Sequence, residues 1–287
     1  MESILELEGV RKHYRDGFLL DGVSFSVPYG AIVGFVGANG AGKTTTIGCI
    51  LGTLQRDGGA VRLFGQEMTD ADTALRERIG VVYDGDTLPG YLTARTLGEI
   101  LRGVYARWDD ALYRAQLQAL GLPPGRRIGA YSRGMTMKLS IAAALAHHPE
   151  LLILDEATGG LDPILRDEML DTLLDFVQDE THAILMSSHI TSDLARIADH
   201  IVFIHGGRVL LTERKDELLY RYGVLRCGAE QFAALDPGDV LASRRRDYQT
   251  DVLVRDREAA ARKYPGVVAD AADIDEILLL LTRGEKR

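Results

Sequence analysis

The chain has 287 residues, enough to bury a full core and, at about 100–200 residues per domain, to form one large domain and a smaller one. A formal charge of −9 argues against a general nucleic-acid binder, and Cys49 and Cys227 are too far apart and too isolated from histidines for a disulfide framework or a zinc site. No apolar run approaches the ~20 residues needed to span a bilayer, and the acidic start MESILELEGV lacks a signal peptide's basic and apolar segments, so a cytoplasmic location is expected.

ILELEGV (4–10) alternates apolar and polar residues as a half-exposed strand does, and LLDGVSFSV (19–27) continues the pattern after a polar Arg15-Asp16-Gly17 turn. A small antiparallel β layer is predicted here, leading into the buried apolar strand Ala31 to Val36. Tyr14 lies in the loop between the first two strands, where position alone allows either a ring stacked on a base or an ordinary surface tyrosine. The buried strand runs into Gly37-Ala38-Asn39-Gly40-Ala41-Gly42-Lys43-Thr44, which is GxxxxGK[ST] between a strand and a helix, the setting of a phosphate-binding loop. Its three glycines, Gly37, Gly40 and Gly42, let the backbone turn so that N–H groups face phosphate oxygens, and the helix that follows adds its positive end. Lys43 is expected to reach the β- and γ-phosphates and Thr44 to hold Mg²⁺, with Asn39 and Thr45 counted among the nucleotide contacts. The helix is predicted over Lys43–Leu54, with Cys49 as a packed core thiol.

Beyond the Asp57-Gly58-Gly59 turn come the strand VRLFG, the helical pattern ADTALRER and the strand IGVVY. From Asp84 to about His148 the texture changes: Pro89-Gly90 and Pro123-Pro124-Gly125 breaks separate helical stretches such as RTLGEILRGVYARW and DALYRAQLQAL. This predicts a helical insertion over about residues 85–148. Strand–helix order then resumes with LLILD, a helix from Pro163 behind the N-cap acid Asp162, the strand AILMSS, a helix from Ile190 and the strand IVFIH. Repeated strand–helix units around a phosphate loop imply a mainly parallel sheet covered on both faces. The large domain is expected to close near Tyr222, leaving a small α+β unit over residues 223–287. Within that unit the Arg244-Arg245-Arg246 run reads as a solvated strand edge that discourages edge pairing.

LLILDE, Leu151 to Glu156, is an apolar strand ending in two acids. After a phosphate loop, Asp155 is expected to hold Mg²⁺ beside Thr44, and Glu156 to orient or deprotonate the water that attacks the γ-phosphate. His189 ends the strand AILMSS, where parallel strands present ligand contacts, and is read as a γ-phosphate contact.

On these motifs the chain resembles the nucleotide-binding subunits of ABC transporters over roughly residues 2–222. The resemblance implies that Tyr14 stacks on adenine. It also aligns Tyr131-Ser132-Arg133-Gly134-Met135 with the family's LSGGQ signature, where Ser132 and Gly134 match while Tyr131, Arg133 and Met135 depart. In the family this segment completes the nucleotide pocket of the opposite subunit, so two chains enclose two ATP molecules. Gly160-Leu161-Asp162 matches the D-loop across that interface, and His189 the switch histidine. The family's IGYxPQ pattern aligns without gaps on Ile79 to Asp84, which puts Asp84 at the Q-loop glutamine position. An aspartate there offers a charged, shorter ligand in place of a neutral carbonyl, and Asp84 is expected to approach the metal and link the site to a membrane partner.

The implied fold is an α/β P-loop NTPase domain of ABC type, with antiparallel β layer, mainly parallel core sheet and helical insertion, followed by the small C-terminal unit. The implied activity is ATP hydrolysis with Mg²⁺, driving separate transmembrane permease subunits through head-to-tail pairing with a second ATPase subunit, either another copy or a related chain. The YSRGM variant, the DEATGGLDP run and the C-terminal unit most resemble ATPases of ABC-2 type permeases, often exporters. The rival reading is a soluble ABC ATPase acting on ribosomes or nucleic acid. Ribosomal members usually carry two cassettes and DNA-repair members long coiled coils, whereas here one loop and a short insertion stand in an acidic chain. A nucleotide-regulated module with little turnover is disfavoured by the presence of both Glu156 and His189.

Overall fold

The computed structural model describes residues 2–15, 17–69, 72–85 and 87–285. Asp16 of the predicted turn, Asp70, Ala71 at the head of ADTALRER, Asp86 in the insertion, and Met1, Lys286 and Arg287 lie outside the described residues.

Chain order begins with β1 (Ser3–His13), β2 (Leu19–Pro28), β3 (Ile32–Val36), α1 (Lys43–Leu51), β4 (Gly58–Leu63), β5 (Gln66–Glu67), α2 (Thr73–Arg76) and β6 (Ile79–Tyr83). The insertion supplies α3 (Ala94–Val104), α4 (Asp110–Ala119) and α5 (Arg133–Leu145). Then come β7 (Leu151–Asp155), α6 (Pro163–Phe176), β8 (Ala183–Ser188), α7 (Thr191–Ile197), β9 (His200–His205), β10 (Arg208–Arg214) and α8 (Lys215–Tyr220). The C-terminal unit holds β11 (Gly223–Cys227), α9 (Ala229–Ala233), β12 (Ala242–Arg245), β13 (Thr250–Val254), α10 (Arg257–Lys263), β14 (Val268–Ala271) and α11 (Ile274–Arg283).

The first sheet is antiparallel along β2-β1-β4 and on to β5, as its alternating sequence requires. The core sheet runs β10-β9-β3-β8-β7-β6, parallel throughout except for β10 on its edge. Strands β3, β7 and β8 are buried at every position, which is why they read as continuous apolar runs rather than alternating ones. Register brings their C-terminal ends into one row: Val36 pairs with Ser188, Ser187 with Asp155, and Asp155 with Tyr83. The loops that follow these strands therefore converge on one edge.

Helix α1 ends at Leu51, three residues short of the predicted Leu54, because Gly52 adopts a left-handed conformation (φ 69°) and caps it. Cys49, within this helix, is buried, as expected of a core thiol. α6 begins as its sequence indicates: Asp162 Oδ1 accepts from the Ile164 and Leu165 N–H groups at 3.1 and 3.0 Å, and Pro163 occupies the first turn. Asp162→Ala is expected to cost about 1 kcal/mol. Urea unfolding checks this: the midpoint should fall with its slope unchanged.

The third sheet is antiparallel, β12-β13-β11-β14. It is not a loosely tethered unit. Ile277 and Leu280 of α11 share one apolar cluster with Leu194 and Ile197 of α7 and Leu218 of α8, so the core runs across the 222/223 division. Arg244 and Arg245 lie on the edge strand β12, and Arg246 pairs with the buried Asp251.

Candidate nucleotide site

Each glycine of the loop after β3 answers a different steric demand. A Cβ on Gly37 would sit 2.4 Å from the Ile204 carbonyl oxygen, a backbone atom that cannot step aside. Gly42 has φ 113° and packs where a Cβ would lie 2.7 Å from Leu20 Cδ2, whereas Gly40 needs its glycine for φ 77° alone, with open space beside it. Gly37→Ala should therefore shift the loop and weaken ATP binding by about tenfold or more, since small displacements of phosphate-binding groups are costly. Calorimetric titration with ATP checks this.

Lys43 is 5% exposed and its Nζ donates to Gly37 O at 2.6 Å and lies 2.9 Å from Glu156 Oε1. Glu156 follows β7 in the left-handed region (φ 55°), a strained position for a residue with a side chain. Its N–H donates to the Ser187 carbonyl and hydroxyl, both at 3.1 Å, while Oε2 accepts from the His189 N–H at 3.2 Å and is bonded to His189 Nδ1. Burial pushes the Glu156 carboxyl upward, but hydrogen bonds from Lys43 and His189 outweigh it and hold it below its ordinary value. Glu156 is thus an ionised proton acceptor at neutral pH, fixed from both sides.

Tyr14, Asn39, Gly40, Gly42, Thr44 and Thr45 join Lys43 and Glu156 around one cavity of about 460 Å³. Phe18, which the sequence pattern did not single out, lines it too. Its ring lies 6.1 Å from that of Tyr14, and the Tyr14 N–H donates to its carbonyl at 2.9 Å. Asp155 is buried, with Oδ1 accepting from Ser187 Oγ at 2.5 Å. The groups gathered here fit a magnesium nucleotide: backbone N–H groups and an ammonium for phosphate, and hydroxyl and carboxylate oxygens (Thr44, Asp155) of the hard type Mg²⁺ takes.

Ser132 and Gly134 do not line this cavity. They border a separate groove of about 560 Å³ with Arg133, Gly160, Leu161 and Asp162. Ser132 caps α5, accepting from the Met135 N–H at 3.2 Å, and a Cβ on Gly134 would meet Leu165 Cδ2 at 2.4 Å. Asp84 directly follows β6. Its backbone N–H donates to Asp155 O at 2.9 Å, but its half-exposed carboxylate is held by Arg133, with Nη2 donating to Oδ1 at 2.5 Å. This pairing is open to the chain because Arg133 stands where the family pattern has glycine.

A family model described as ABC transporter matches residues 20–159. The bacitracin transport ATP-binding protein BcrA of Bacillus licheniformis is 35% identical over 218 residues, 73% of this chain and 69% of that protein. The daunorubicin resistance ATP-binding protein DrrA3 of Streptomyces coeruleorubidus is 30% identical over 313 residues, 100% of this chain and 98% of that one. A solved structure described as the ATP-binding subunit of an ABC transporter superposes with a TM-score of 0.69 at 28% identity, covering 75% of this chain and 92% of its own. Likeness of this extent, on a chain whose loop, strand ends and cavity already fit a magnesium triphosphate, means that the protein belongs to the ABC transporter ATP-binding subunits, enzymes that bind ATP with Mg²⁺ and hydrolyse it.

Proposed function

We propose that the chain powers an ABC exporter of the ABC-2 kind, acting beneath separate transmembrane subunits and paired head-to-tail with a second ATPase subunit. Export is supported by relatives named for bacitracin transport, daunorubicin resistance and, in Ralstonia nicotianae, Nod factor export. Two of these match over nearly the full length of this chain, the C-terminal unit included. No helix among the described residues is long and apolar enough to cross a membrane, so the transport path is assigned to partner chains.

The observation that carries the catalytic reading is Glu156, ionised and clasped between Lys43 and His189 at the cavity wall. In this reading the backbone of Gly37–Gly42 and the Lys43 ammonium bind the β- and γ-phosphates, and Tyr14 stacks on the base with Phe18 beside it. Thr44 and Asp155 would hold Mg²⁺, which neutralises phosphate charge when bound. Lys43 turns from Glu156 toward phosphate, freeing Oε1 to take a proton from the attacking water while His189 keeps Oε2 oriented. Ser132 and Gly134 are assigned to the partner's nucleotide, which accords with their place in a groove apart from the chain's own cavity. We place the working division at residue 222, with the insertion 85–148 as the arm toward the permease.

Affinity capture of the tagged chain from detergent-solubilised membranes tests this reading. Polytopic membrane proteins should co-purify; recovery of ribosomal proteins or nucleic acid in their place would favour the soluble alternative.

A further inference from the structure

Two of the departures from the family pattern, Asp84 for glutamine and Arg133 for glycine, lie 49 residues apart in sequence and touch in the fold. Arg133 Nη2 donates to Asp84 Oδ1 at 2.5 Å. Asp84 directly follows β6, and its N–H is bonded to the Asp155 carbonyl, so its carboxylate adds a third acid to the strand ends that already carry Asp155 and Glu156. An unpaired Asp84 would therefore repel an entering triphosphate, a penalty that a neutral glutamine does not impose. The Arg133 guanidinium also lies against the Gly159-Gly160 turn: a Cβ on Gly160 would come within 2.5 Å of Nη1, so that glycine leaves the space the arginine occupies.

We propose that Arg133 is a positioning residue that neutralises and holds Asp84, so that the ion pair takes the place of the family's neutral glutamine beside the chain's own nucleotide. The pair rests on the reading of the cavity as a MgATP site. Both side chains are half exposed, 50% and 42%, so the pair contributes little to folding, and its coupling should be seen in nucleotide binding instead.

The test is a double-mutant cycle on the full-length chain: wild type, Arg133→Gly, Asp84→Gln and the double variant. The readouts are the dissociation constant of trinitrophenyl-ATP with and without Mg²⁺, the ATPase rate against Mg²⁺, and the urea midpoint. Arg133→Gly should weaken binding about five- to tenfold, and the double variant should return to within about twofold of wild type. The urea midpoints should not follow this order. If Arg133→Gly binds as wild type does, or if the losses of the two single variants multiply in the double, the pair has no such role. A midpoint series that parallels binding would equally overturn it, leaving a structural contact. A wild-type chain that fails to bind the analogue would defeat the nucleotide site itself, an outcome distinct from uncoupled variants on a binding wild type.

Discussion

Lys43→Ala is expected to weaken ATP binding by roughly 30- to 100-fold and to cut turnover by about 10²–10³, the usual effect of removing a charged donor from a preorganised phosphate site. The size follows from where the ammonium sits. It is almost fully buried, and its hydrogen bonds to the Gly37 and Ala38 carbonyls anchor it to the loop that must wrap the phosphates. Lys43→Arg should not restore activity, because a planar fork cannot occupy the room of a compact ammonium bounded by two carbonyls and a carboxylate. The alanine variant also leaves Glu156 with His189 as its remaining side-chain partner, so desolvation gains on the hydrogen bonds and the carboxyl's pKa rises. Calorimetric titration and steady-state hydrolysis on one preparation separate the binding loss from the catalytic one. Near-wild-type affinity in the alanine variant would contradict the placement of the phosphates.

Glu156→Gln is expected to lower turnover by about 10²-fold or more while leaving ATP binding within a few-fold, since it removes a proton acceptor and keeps the shape. Glutamine can still accept from Lys43 through its carbonyl oxygen and occupies the same strained backbone position, so the fold should tolerate it. The pH dependence follows from sign. A carboxyl held below its ordinary value in the free enzyme stays ionised through the neutral range, so the acid limb of kcat/KM, which reports the free enzyme, should fall below the usual glutamate value of about 4.3. His189→Ala removes one of the bonds that depress it, and the limb should move upward. The same depressed value means that Glu156 adds stability above its unfolded pKa, and that this is lost as pH falls through the folded one.

Much of the site was legible because phosphate chemistry constrains spacing. Gly37, Gly40, Gly42, Lys43 and Thr44 sit on one tight turn, and any chain that wraps phosphate in this way must place them so. Asp155, Glu156 and His189 could be found because buried parallel strands read as apolar runs, and the residue just past each run stands at the ligand edge. Elements without such a pattern were missed. β14 (VADA) pairs only at the margin of its sheet with largely exposed residues, and α9 buries no side chain, so neither leaves a periodicity to detect. Phe18 belongs to the cavity through a turn that folds it back on Tyr14, which spacing does not encode. The Asp84–Arg133 contact was out of reach for a related reason: each residue is visible as a departure from the family pattern, but only the fold brings the β6 end to the start of α5.

As proposed above, Glu156 performs the chemistry in a site that otherwise binds ATP normally. The most direct test is the chemical state of bound nucleotide after a single turnover. Wild-type chain incubated with a stoichiometric amount of MgATP, quenched and analysed should contain ADP, whereas Glu156→Gln should still hold ATP after many wild-type turnover times. Conversion to ADP by the glutamine variant at the wild-type rate would contradict the account.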